Sequence, residues 1–175
     1  MGKSLVDKYA LLPDEIDRES LKMVQASLPN DLMLGPDEHY VLCRIVRAEG
    51  DPAISRDVKF SPEAITEGLN ALKSGKDIIT DVRMVEMGIS KLSLTKSGLQ
   101  TRCVIDTEQV AKRALKEQTT RSVASLRELA PYLGDAIVAI GNAPTALLAL
   151  LDMIDNKEIH EPALIIGMPV GFVAC

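Results

Sequence analysis

The polar residues best placed for chemistry in this 175-residue chain sit beside turns that follow apolar runs, above all in IGNAPTALL at 140–148. Gly141 tolerates backbone angles that other residues resist, and Asn142 suits a turn or an N-cap. Pro144 fits only the first turn of a helix, where its missing N–H removes no bond. The β-branched run at 136–140 predicts a buried strand. The uncharged stretch 146–151 predicts a helix covered on every side. In an open parallel sheet ligands bind at the carboxyl ends of the strands, which places Gly141, Asn142 and Thr145 where a site would lie. TDVRMVEMG at 80–88 is a second strand–loop–helix junction, with Asp81 as the cap of a short helix and Arg83 beside it. Both fall at the same sheet end as Asn142 if the sheet is parallel.

Two further groups carry polar chemistry on helices. Ser20 interrupts the apolar stripe Ile16, Met23, Val24 and Leu28. It either bonds back to the carbonyl four residues earlier or aims a hydroxyl at a ligand, and spacing favours the local bond. Arg44 and Arg47 lie three apart and share a helix flank, which is ordinarily a solvated charged face. His39 and His160 have no second His, Cys or spaced carboxylate, so no metal site is expected. Cys43, Cys103 and Cys175 are odd in number and show no CxxC spacing. They read as cysteines of a reducing, cytoplasmic compartment, with neither disulfide nor zinc. No GxxxxGK[ST], no GxGxxG after a strand and no GxSxG elbow occurs, and no nucleophile has an adjacent base.

Composition narrows the ligand class. The net charge is −5, aromatics make up 3% and there is no Trp. That argues against a general nucleic-acid or anionic-membrane binder. It leaves room for a small anion, because screening over roughly 8 Å lets a local arginine cluster act alone. No run approaches the roughly 20 apolar residues that span a bilayer, and the first ten residues lack a signal-peptide apolar core.

Around these residues the patterning predicts alternating elements. Helices are expected at 13–28 and 36–49, both opened by proline and acidic residues. A short strand is expected at 58–60. Ser61 and Pro62 should start a helix with the stripe Ile65, Leu69 and Leu72, ending at Gly75. Strands follow at 78–80 and 99–105, and Thr107 should cap a helix through Lys116. Residues 118–122 interrupt or restart it, and a second piece carries Val123, Leu126 and Leu129 until Pro131 and Gly134 end it. Residues 163–170 predict a further buried strand. The whole reads as one α/β domain with a doubly wound, mostly parallel sheet and helices on both faces.

Four stretches in order, LKSGKDIITDVRMVEM (72–87), TRS (120–122), IGNAPTAL (140–147) and GMPVGFV (167–173), resemble the precorrin-8X methylmutases, also called cobalt-precorrin-8 methylmutases. EIDRES at 15–20, and RIVRAEGDP ahead of FSPEAI, extend the likeness over nearly the whole chain. The resemblance implies a three-layer, flavodoxin-like fold and a homodimer. It implies an isomerase of corrin biosynthesis that moves a methyl group from C-11 to C-12 of precorrin-8X or cobalt-precorrin-8, giving hydrogenobyrinate or cobyrinate. The methyl group is already on the substrate, so no cofactor is implied. The partner is a flat, polycarboxylated tetrapyrrole.

Matched position by position, the resemblance assigns Ser20, Asp81, Arg83, Met84, Thr120, Arg121, Ser122, Asn142, Ala143, Pro144 and Thr145 to the substrate. Pro169, Val170, Gly171 and Phe172 would close the pocket from the last strand. Arg47 occupies the position of the family's catalytic histidine, in RIVRAEG against RMIHxCG. An arginine stays protonated, so the implied part for Arg47 is electrostatic. A non-catalytic, corrinoid-binding relative is the alternative that this exchange leaves open. A scaffolding domain with no tetrapyrrole fits the intact TRS and GNAPT segments poorly. The family pattern also runs on past PVGFV, so a C-terminus shorter than the family's is expected.

Overall fold

A computed structural model of the protein describes residues 12–171. The chain forms two compact units, divided between Ile65 and Thr66.

The first unit contains α1 (Pro13–Ser27), α2 (Pro36–Glu49) and a 3-10 turn (Pro52–Arg56). Both helices open on proline with acidic residues in the first turn, and the Glu38 carboxylate accepts from the Gly35 N–H. Those charges complement the exposed amides at each helix start. Gly50 ends α2 in the left-handed region at φ +82°, a conformation that costs glycine little. The core is small: Leu28, Leu42, Cys43 and Val46, flanked by Leu21, Val24, Ile54, Val58 and Phe60. The expected strand at 58–60 does not form. Val58 and Phe60 alternate inward because they pack on this cluster, with no strand among the described residues paired to them.

The second unit is built on β1 (Ile78–Thr80), β2 (Thr101–Arg102), β3 (Ile137–Ile140) and β4 (Leu164–Gly167). All three pairings are parallel and the spatial order is β2–β1–β3–β4. Ile79, Val138 and Ile165 stand in register and share one face with the core of Leu126, Leu133, Ala146, Leu150 and Met153. Those residues come from α7 (Arg121–Glu128), α8 (Ala130–Leu133) and α9 (Pro144–Asp155). On the other face, α3 (Ala64–Lys73) brings Gly68 against Leu164, where an added Cβ would fall 2.7 Å from a Leu164 methyl. The sheet is therefore covered by helices on both faces, as the alternating pattern predicts. The remaining helices are α4 (Arg83–Gly88), α5 (Lys91–Ser97) and α6 (Glu108–Lys116).

Several local expectations need correction. Ser61 does not cap α3: the helix begins at Ala64, after Glu63 takes φ +63°. Asp81 does not cap α4, whose N-cap is Val82 with no side-chain bond. Only Thr101 and Arg102 of 99–105 join the sheet, since β2 has β1 as its neighbour and β1 itself is three residues long. Pro131 starts α8 rather than ending α7. The strand at 164–167 is half-exposed, because β4 forms the sheet's margin with β3 on one side. Leu148 and Leu151 of α9 are exposed at 45% and 43%, so that helix is not covered all round. The helix α5 carries no such expectation; Ser90 caps it and Gly98 ends it in the left-handed region.

Candidate functional site

The strand order reverses between β1 and β3, and Asp81 stands at that point, immediately after β1. Its side chain is fully buried. One carboxylate oxygen accepts from the Gly141 N–H at 3.1 Å, and the other accepts from Asn142 and Ala143, each at 2.9 Å. Three successive amides converging on one carboxylate form an anion-holding nest, and the chain supplies its own anion. Close packing sharpens the turn. A Cβ on Gly141 would lie 2.6 Å from a Val85 methyl, so only glycine fits there. Asn142 is not the N-cap of α9; Ala143 is, with Pro144 at N1. The Asn142 carbonyl accepts from the Val170 N–H at 3.1 Å, tying the segment after β4 to the same turn.

Beside this closed crevice the starts of α7 and α9 meet. Thr120 caps α7 by accepting from the Val123 N–H at 3.2 Å. The same hydroxyl lies 3.4 Å from that of Thr145 in the first turn of α9. With the cap spent on Val123, the amides of Arg121 and Ser122 stay outside the helical ladder, as first-turn amides do. Arg121 is exposed at this edge and Ser122 half-buried. Two helix starts and an arginine give a locally positive patch on an acidic chain, suited to carboxylates.

Arg83 is occupied differently. Its guanidinium reaches Asp106 at 2.8 Å and Glu86 at 2.7 Å. These bonds, to Asp106 first, push its already high pKa further up, and Arg83 holds the Asp106 carboxyl below its ordinary range. Met84 is exposed at 69% and Val170 at 62%. Cys103, buried near the end of β2, has its thiol pushed up by burial, which keeps it in the unreactive protonated form. Among the described residues no group of three His, Cys, Asp or Glu is placed to hold a metal ion.

Ser20 and Arg47 belong to the first unit. The Ser20 hydroxyl donates to the Ile16 carbonyl at 2.7 Å, the local bond that spacing favours. Arg47 bonds the Asp17 carboxylate, and Arg44 approaches the same carboxylate at 3.6 Å. Of the residues assigned by resemblance, the structure gathers Asp81, Asn142, Ala143, Pro144, Thr145, Thr120 and Val170 at one end of the parallel sheet. Arg83 starts the helix that follows Asp81. Gly171 is exposed, and Phe172 lies outside the described residues.

Sequence reasoning missed Asp17, which signals itself only as the residue one turn before Ser20. It missed the partner of Arg83, because Asp106 lies twenty-three residues away. Two open hollows of the second unit lie near the opposite end of the sheet. One is lined by Arg113, Glu117, Arg127 and Met153, the other by Asp135, Lys157 and His160. In the first, Arg113 and Arg127 are already bonded to Glu117.

A parallel sheet in this order, with polar loops gathered at its β1/β3 tip, defines the flavodoxin-like, doubly wound class of α/β fold. The class is broad, and comparison with known proteins narrows it. The chain belongs to the precorrin-8X methylmutase family, whose model matches residues 15–175. A cobalt-precorrin-8 methylmutase from Priestia megaterium is 36% identical over 93% of this chain and 71% of its own length. Another, from Methanothermobacter thermautotrophicus, is 37% identical over 99% of this chain and 78% of its own. The crystal structure of a precorrin-8X methylmutase from Thermus thermophilus superposes with a TM-score of 0.83 at 34% identity, covering 92% of this chain and 77% of that one.

Proposed function

We propose that this protein is an isomerase of cobalamin biosynthesis, moving a methyl group from C-11 to C-12 of precorrin-8X or cobalt-precorrin-8. The products are hydrogenobyrinate or cobyrinate. Family membership supports the reaction class. The observation that carries the binding mode is the meeting of α7 and α9 at Thr120 and Thr145, with Arg121 exposed beside them. A macrocycle fringed by carboxylates finds amide and guanidinium donors at that edge.

The turn 141–143 takes a different part. Its amides are held by Asp81, so it offers the substrate a rigid wall through Asn142, Ala143, Pro144 and Thr145 instead of an anion hole. Ser122, Met84, Val170 and Gly171 extend that edge. Arg83, doubly bonded to Asp106 and Glu86, fixes the loop after β1. Ser20 is assigned to the substrate, and Arg47 to the catalytic position, by resemblance alone. The migrating methyl group belongs to the substrate, so the protein's task is to hold the ring and bias its charge. We assign the protein to the cytoplasm on its cysteine usage and to a homodimer on the family resemblance.

The test is direct. Purified protein is incubated with precorrin-8X and with cobalt-precorrin-8, and the absorbance of the rearranged corrin is followed. Catalytic turnover is expected; absence of both turnover and binding overturns the proposal. A second reading, a corrinoid-binding relative without turnover, is favoured by Arg47, which cannot deliver and recover a proton near neutral pH. Tight binding without turnover selects it, and gain of turnover in Arg47→His would place the missing proton donor.

A further inference from the structure

The described residues of the first unit contain one place where two cations meet a single anion. Arg44 and Arg47, on one flank of α2, both face the Asp17 carboxylate of α1. Arg47 bonds it; Arg44, at 3.6 Å, makes a charge contact beyond ordinary hydrogen-bond length. The trio carries a formal net charge of about +1, two guanidiniums against one carboxylate. All three side chains keep solvent contact, at 49% for Arg44, 32% for Arg47 and 42% for Asp17.

Half-exposed pairs in contact with solvent are weak, on the order of a few-fold in an equilibrium constant, so an incoming anion can displace the resident carboxylate. A guanidinium pair also has more donors than one carboxylate can use. Arg44 in particular has bonding capacity left over.

We infer that Arg44 and Arg47 form a carboxylate-receiving site in which Asp17 is an exchangeable placeholder. The ligand is a carboxylate of the polycarboxylated corrin, and this part of the inference rests on the proposed function. In the free protein Asp17 holds the two guanidiniums in register and lowers their pull on stray anions. In the complex a substrate carboxylate takes its place. Asp17 thus competes with substrate, and its removal strengthens binding. A residue that merely positioned Arg47 would have the opposite effect when lost.

The experiment measures the affinity of the full chain for cobyrinate by absorbance titration at low and moderate salt. Asp17→Asn should bind about two- to fivefold more tightly than wild type, the scale of one exposed ion pair. Its salt dependence should steepen, since the site gains about one unit of positive charge. Arg44→Gln and Arg47→Gln should each weaken binding, and Asp17→Asn should confer no gain in the Arg47→Gln background. Asp17→Ser serves as a second charge removal should the asparagine variant fold poorly. If wild type binds cobyrinate and both Asp17 variants bind equally or more weakly, the placeholder is refuted while the functional reading stands. If wild type shows neither cobyrinate binding nor precorrin turnover, both fall.

Discussion

The two halves of the sheet tip spend their donors in opposite ways. At the β1/β3 crevice, three amides are consumed by the buried Asp81. At the start of α7, Thr120 takes one amide and leaves Arg121 in solvent. The same backbone feature, a run of N–H groups facing outward, is in one case closed by a buried carboxylate and in the other left partly open to solvent. A helix start or a glycine turn is therefore no evidence of a binding site until its donors have been accounted for. The amides of the GNAP turn are occupied by Asp81, and on the proposed function it is the Thr120–Thr145 edge that meets the substrate carboxylates.

Breaking the closed side should have the largest effect. Asp81→Asn keeps the shape but turns an amide donor toward backbone donors, leaving buried groups unsatisfied. A loss of about 3 kcal/mol is expected in urea unfolding. Gly141→Ala drives a Cβ against Val85 and should cost about 2 kcal/mol; Val85→Ala in the same chain should recover much of it.

The open side should respond in affinity and not in stability. Arg121→Gln should weaken corrin binding by about tenfold, the scale of one charge-assisted contact. Its unfolding midpoint should stay near wild type, since Arg121 is exposed. A matching loss of stability would erase the distinction between the two sides.

The smallest effect concerns Arg83, which links the crevice to the loop after β2. Asp106 has a carboxyl held below its ordinary value by Arg83. The folded-state value therefore lies below the unfolded one. Its contribution is complete above the ordinary carboxylate range near pH 4 and is lost as pH falls through the folded value. Arg83→Gln should flatten that acid limb of the stability profile and leave the profile near neutrality almost parallel to wild type. Urea midpoints measured across the acid range would show it.

What the sequence made legible follows the range of the interactions. The bounds of α2 and the Thr107 cap are local signals, set by residues three or four apart, and both appear as expected. Pro144 opening α9 is another. The failures lie where a distant partner decides. Val58 and Phe60 alternate like a strand, yet burial against two helices explains the pattern equally well. The isolated stretch 99–105 could not reveal that its neighbour is three residues long. Asp81 was placed at the correct end of the sheet, but its partners lie sixty to sixty-two residues onward. The resemblance supplied the family and could not say whether Arg83 or Asp17 were already engaged.

The buried acid after β1 also bears on how the chain finds its fold. Its three donors exist in place only when β1 and β3 run side by side in the observed alignment, Thr80 opposite Ala139. A slip by one position would swap which side chains face inward and strand a charge in an apolar interior. Mispaired chains are thereby penalised far beyond the loss of a few contacts, so Asp81 works as a proofreading device for the central pair of strands.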